Sequence, residues 1–213
     1  MTGQEMSDIL GLRMEDPAES SFSLTAKVDA INVAQNTVVN LINNAYLTEL
    51  ETVASNKSLT SGATTFAAAS ITPIRNGVAV VKINGGNYCS MMEARDVKRT
   101  QNSYLSGTDA NPIAYIFDET IYVLSDAATA IDIWYLSAPT DLTVSSGAVS
   151  NSSTLNEALH EVIVDFAEAQ LWRMDAQSER AAAAYQSATN QINALNARYE
   201  GEAPEGIGTK GRR

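Results

Sequence analysis

From Thr154 to Tyr199 the chain runs 46 residues without a proline or a glycine. Alanine is dense there, as in Ala181-Ala182-Ala183-Ala184, and alanine is the residue least costly to hold helical. Thr154 and Glu157 have the spacing of a capping box. Leu155, Leu159, Val162, Phe166 and Ala169 recur at helical spacing, and Ala184, Ala188, Ile192, Leu195 and Tyr199 carry a stripe onward. Gly201 and Pro204 then stop it. The stretch reads as one helix roughly 70 Å long at 1.5 Å per residue. A 100-residue domain has a gyration radius of only about 13 Å, so such a helix is expected to span or pack against something outside its own domain.

Composition limits what that could be. The chain has 213 residues, 45% of them hydrophobic, enough for a buried core. Its net charge of −11 argues against gripping phosphates, though not against a wall past which DNA slides. No apolar run approaches the ~18 residues of a membrane span. Met1-Thr2-Gly3-Gln4-Glu5 has neither the basic nor the apolar region of a secretory signal. Cys89, the single cysteine, allows no internal disulfide and fits assembly in a cytoplasm.

Taken in order, Thr2 and Glu5 form a capping box opening a short helix to Met14, and Asp16-Pro17 ends it. Ser23 or Thr25 opens a second helix, expected to run to about Ala54 with Val28, Ile31, Val38, Ile42 and Ala45 on one face. Ser55 to Gly62 reads as a polar exit loop. The period then changes: Thr65–Ile71 and Val78–Ile83 read as strands, Asn84-Gly85-Gly86 as a turn, and Met91–Leu105 as a short helix or ordered loop. Ile113–Phe117, Thr120–Leu124 and Ala130–Leu136 read as strands, the first two joined by the hairpin connector Asp118-Glu119. Ile131, Ile133, Trp134 and Tyr135 suggest a strand covered on both faces. Pro139–Ser153 reads as a linker.

The expected fold is therefore α+β and mainly α: a helical bundle with one very long C-terminal helix, a β-strand insert between helices, and an extended C-terminal tail. Residues 1–60 and 150–200 would form the bundle, 61–149 the β-rich insert, and 201–213 a flexible tail, disordered in the free chain.

Chemistry has little to stand on. His160-Glu161 begins like a zinc-protease motif, but Val164 stands where the second histidine is needed. Gly85-Gly86 lacks the rest of a nucleotide-binding loop, and nothing resembles Gly-x-Ser-x-Gly. No metal, cofactor or catalytic residue is expected. On a regular helix Glu157, Glu161, Asp165, Glu168, Asp175 and Glu179 share an arc of roughly 80°, most simply a solvated face. A channel-facing negative lining and a glycosidase-like acid and base pair are the functional readings. In the tail, Ile207 could anchor while Lys210, Arg212 and Arg213 pair with carboxylates on a partner.

Four stretches, in order, resemble one family. They are Glu15-Asp16-Pro17 followed by a helix with Asn32-Val33-Ala34-Gln35; Asn111-Pro112-Ile113 running through Leu124; Ile131-Asp132-Ile133-Trp134-Tyr135 leading to Ala138-Pro139; and Leu155-Asn156-Glu157-Ala158-Leu159-His160. Together they resemble the head-to-tail adaptor (connector) proteins of short-tailed bacteriophages. That family often places a proline after the strand where this chain has Ser125–Thr129. The resemblance implies a non-enzymatic virion protein, assembled in the host cytoplasm. It implies a homo-oligomeric ring, typically of twelve copies, between the portal protein and the tail nozzle protein. DNA would pass through unbound, no membrane would be involved, and the C-terminal tail would reach the portal. A stopper or tail-completion protein is the alternative, with a virion-associated cell-wall hydrolase behind it.

Overall fold

In the computed structural model, which describes residues 1–101, 107–125 and 128–200, the alanine-rich stretch is two helices, not one. Among the described residues nine strands in three sheets stand beside the helices, so the expectation of a mainly helical bundle with a single very long C-terminal helix is overturned. The described residues hold five α-helices, α1 (Gly3–Arg13), α2 (Leu24–Leu41), α3 (Phe66–Ala69), α4 (His160–Met174) and α5 (Ser178–Glu200), and four short 3₁₀ helices. The chain divides into two compact units, residues 1–49 with 139 onward, and residues 50–138.

The break between α4 and α5 has a local cause. Ala176 sits at φ 58°, the Ala176 N–H donates to the Arg173 carbonyl, and the Gln177 N–H donates to that of Trp172. This is a Schellman ending with alanine in the left-handed position that glycine usually fills. Past it the chain reverses. Asp165 meets Ser187 and Gln191, Phe166 meets Tyr185 edge-on at 5.4 Å, and Arg180 stacks over Trp172 at 4.6 Å. The helices thus form an antiparallel hairpin in which Ala181, Ala184, Ala188, Ile192 and Leu195 are buried. A straight helix would have left that second stripe in water; folding back covers it. The start also differs from expectation: Thr154 accepts from the Thr140 N–H, and Asn156 caps a 3₁₀ turn, Glu157–Leu159, ahead of α4.

α1 opens as the sequence implies, with the Thr2 hydroxyl accepting from the Glu5 N–H and the Glu5 carboxylate from the Thr2 N–H. α2 starts after Ser23 but ends at Leu41, well before Ala54. Asn196 of α5 causes the stop: its side chain donates to the Leu41 carbonyl and accepts from the Asn43 N–H. α1 packs on α2 and α4, α2 on α4, and α4 on α5. Met6, Leu10, Ile31, Leu159, Ile163 and Leu171 are fully buried between them. Asn32 reads the backbone of Leu142 as a strand partner would, donating to its carbonyl at 3.0 Å and accepting from its N–H at 2.8 Å. Buried Gln35 bonds both Asn32 and Ser153. These two residues of the Asn-x-Ala-Gln stretch pin the linker to α2. The linker itself holds a small hairpin, β8 (Val144–Ser145) and β9 (Ala148–Val149).

The second unit opens with β1 (Glu51–Ser58), the segment expected to end α2 and to form an exit loop. It pairs with β7 (Ala130–Ser137), which also pairs with β3 (Pro73–Ile83), both antiparallel. The other sheet runs β2 (Ala63–Thr65), β6 (Thr120–Leu124), β5 (Ile113–Phe117), β4 (Ser90–Met92), with β4 and β5 parallel. Residues 65–71, expected as a strand, instead make the turn of α3, capped by Thr65. Asp118 and Glu119 both have positive φ, as a two-residue type I′ hairpin requires. Ala69, Ile71, Val78, Val81, Cys89, Ala114, Ile121, Val123, Ile131 and Ile133 form the core of this unit.

Candidate functional site

The acidic row was expected on one helix face; the helix break divides it. Glu157 lies in the 3₁₀ turn, Glu161, Asp165 and Glu168 on α4, Asp175 in the reversal and Glu179 in the first turn of α5. The three on α4 converge on one cation. Arg13, in the last turn of α1, forks onto Glu161 and Asp165 and reaches Glu168 at 3.4 Å.

Burial differs along this set. Side-chain exposure is 51% at Glu161, 7% at Asp165 and 21% at Glu168. Asp165 also accepts from Ser187 at 2.8 Å and Gln191 at 2.7 Å, so its carboxylate joins α1, α4 and α5. Glu168 accepts from the Trp172 indole N–H at 3.1 Å. Burial works to lower the Arg13 pKa, but the hydrogen bond to Asp165 and the fields of the three carboxylates outweigh it and raise it. Arg13 was not singled out from the sequence. The signal was there: it is the only basic residue among Glu5, Asp8, Glu15 and Asp16. Glu157, Glu161, Asp175 and Glu179 remain exposed.

A second polar knot holds the turn after α1. Asp16 accepts backbone N–H groups from Phe22, Ser20 and Ser21 and the Ser20 hydroxyl. The bonds from Phe22 and Ser20 hold its carboxyl well below the usual carboxylate range. Lys27, buried on α2, donates to the Asp16 carbonyl at 2.8 Å. A Cβ on Gly11 would stand 3.1 Å from the Lys27 Nζ, so a larger residue there would press on the ammonium.

His160 is buried, and both ring nitrogens are used. Nε2 faces the Leu155 carbonyl at 2.9 Å and Nδ1 the Met1 α-amino group at 3.0 Å. The carbonyl requires the proton on Nε2, leaving Nδ1 to accept from the amine. Burial lowers the His160 pKa. Cys89 lies in the core of the second unit, where burial pushes its thiol up to about 11. Among the described residues no three His, Cys, Asp or Glu side chains gather to hold a metal ion, and no helix is long and apolar enough to cross a membrane. The tail residues Ile207, Lys210, Arg212 and Arg213 lie outside the described residues.

What the site residues do, then, is join helices: the Arg13 cluster ties α1 to the α4–α5 hairpin, and the Asp16 knot ties the turn after α1 to Lys27 of α2. The family model of the SU10 adaptor protein matches residues 1–208. The chain belongs to that family, in agreement with the resemblance of its four stretches to phage head-to-tail adaptors. No curated protein matches the chain.

Proposed function

We propose that the chain is a structural subunit of a phage virion that joins the portal protein to the tail nozzle protein. It does so as a closed ring of roughly twelve copies around the DNA channel. The observation that carries this reading is membership of an adaptor family across residues 1–208. It is supported by side chains that are committed to mutual packing rather than to a concave reactive site. The ring has no enzymatic role in this reading.

The exposed carboxylates Glu157, Glu161, Asp175 and Glu179 supply the negative wall. DNA carries about one charge per 1.7 Å of axis, and a wall of like sign keeps it from adhering in transit. Asp165 and Glu168 act through Arg13 as braces behind that wall. Residues 201–213 reach the portal, with Ile207 as apolar anchor and Lys210, Arg212 and Arg213 as charge partners; thirteen extended residues span roughly 40 Å.

Deleting residues 203–213 tests the tail's role. The truncated chain should keep its melting temperature and lose portal capture in a pull-down; full capture would refute that role. Imaging the chain's position in virions tests the whole reading, and a location away from the portal–tail junction would overturn it.

A further inference from the structure

On the helical unit three exposed apolar side chains, Val33, Met174 and Tyr185, gather in one place. Between α2, α4 and α5 runs a groove enclosing about 410 Å³, walled by Val33, Ala34 and Thr37 on one side and Tyr185 on another, with Phe166 and Ala169 at its base. Val33 is 50% exposed, Met174 64% and Tyr185 45%. Leu41, two turns beyond Val33 on the same stripe of α2, is exposed as well. At the rim stands Arg173, which is exposed and pairs with no carboxylate among the described residues. Unlike Arg13, Lys27 and Arg180, which each meet an acid, Arg173 is a cation beside an exposed apolar wall.

The same unit carries a surface of the opposite character. Leu12 is 66% exposed on α1, and none of the groove residues belongs to that helix. Exposed Asp8 lies one turn before Leu12, and Glu15, which meets Arg180, lies just after it, so carboxylates stand on both sides of the apolar knob. A groove with exposed apolar walls and an arginine at its rim, and an apolar knob flanked by acids, are complementary in sign. We propose that the α1 ridge of one copy, with Leu12 at its centre, docks into the α2–α4–α5 groove of the next copy, Asp8 pairing with Arg173. The inference rests on the adaptor reading and names the contact that would build its ring. Because the two surfaces differ, the contact is head-to-tail, the kind that closes into a ring when the rotation per copy allows.

Cross-linking reads the contact directly. Leu12→Cys and Met174→Cys single variants of the full chain are mixed at high concentration in about 0.5 M salt, where the net charge is screened, and treated with a short bismaleimide. The experiment is repeated on portal-bound chain. The unmodified chain, whose Cys89 is buried, is the control. A covalent dimer in the mixture but not from either variant alone, and a ladder from the double variant, support the proposal. Arg173→Glu should cut the mixed product at least about tenfold, and adding Asp8→Lys should restore it. Absence of the mixed product in both settings, Leu12→Cys linking to itself, or Met174→Cys linking only to portal each overturns the docking. A ladder that persists in a chain unable to bind portal keeps the docking and overturns the adaptor reading alone.

Discussion

Replacing Arg13 by methionine removes the cation shared by three carboxylates while keeping most of the side chain's bulk. An exposed ion pair contributes about 0.2–1 kcal/mol, and removing one partner of a fully buried pair costs about 3–5 kcal/mol. Arg13 stands between those limits. Its own side chain is 29% exposed, yet its closest partner, Asp165, is only 7% exposed. Asp165 retains Ser187 and Gln191 as donors, which partly hold the orphaned charge, so the expected loss is about 2–3 kcal/mol. Arg13→Lys keeps the charge but not the fork that spans Glu161 and Asp165, and should lose about 1 kcal/mol. The assay is a urea melt followed by tryptophan fluorescence in a Trp134→Phe background, so that Trp172, hydrogen-bonded to Glu168, reports the helical unit. The two units need not melt together. Combined with Asp165→Asn, Arg13→Met should cost less than the sum of the single losses by about 1–2 kcal/mol. A loss below about 0.5 kcal/mol, or strict additivity, would refute the idea that this cluster fastens α1 to the hairpin.

Three further outcomes follow from other sites. Ala176→Gly should stabilise the helical unit by roughly 1 kcal/mol by relieving the left-handed strain of φ 58°, and a denaturant melt showing destabilisation would contradict that account of the reversal. Asp16 has a folded pKa below its unfolded value of about 3.9, so its stabilisation is complete above that pH and fades as pH falls below it. Asp16→Asn should therefore melt lower than the parent at pH 7, with the gap narrowing from about pH 4 downward; a gap that is constant with pH would sink the argument. Phe166→Ala should cost about 3 kcal/mol, the low end for a buried aromatic, because Phe166 borders the open groove; a loss under about 1 kcal/mol would show that the residue is not part of the core.

Several local signals were legible, although the Thr154/Glu157 box did not form. The Thr2/Glu5 box, the Asp118-Glu119 hairpin and the Asn84-Gly85 turn each depend on residues within a few positions of one another, and each forms as its pattern implies. Elements stopped or started from afar were not legible. α2 ends because Asn196, more than 150 residues on, takes over its backbone, and β1 forms where β7 offers a partner. The reversal at Ala176 was hidden by its composition, since no glycine marks it. The run from Arg173 to Arg180 is exposed at every position, and its polarity was the available clue: a continuous amphipathic helix would have kept one buried residue per turn there. The acidic row on α4 was visible, but its cation comes from another helix, and spacing along one chain segment says nothing about that.

The reversal also decides how the helical unit answers to force. A straight helix would carry a pull applied at its C-terminal end along its own axis and away from the rest of the protein. In the hairpin, the same pull at the end of α5 acts parallel to α4, beside which α5 lies. The Asp165 bonds to Ser187 and Gln191, the edge contact of Phe166 with Tyr185 and the Asn196 grip on α2 are then strained side by side, in shear. Contacts stressed in parallel yield together, whereas a peeled interface gives way one contact at a time. A pull at the end of α5 is thus resisted until the whole interface slips.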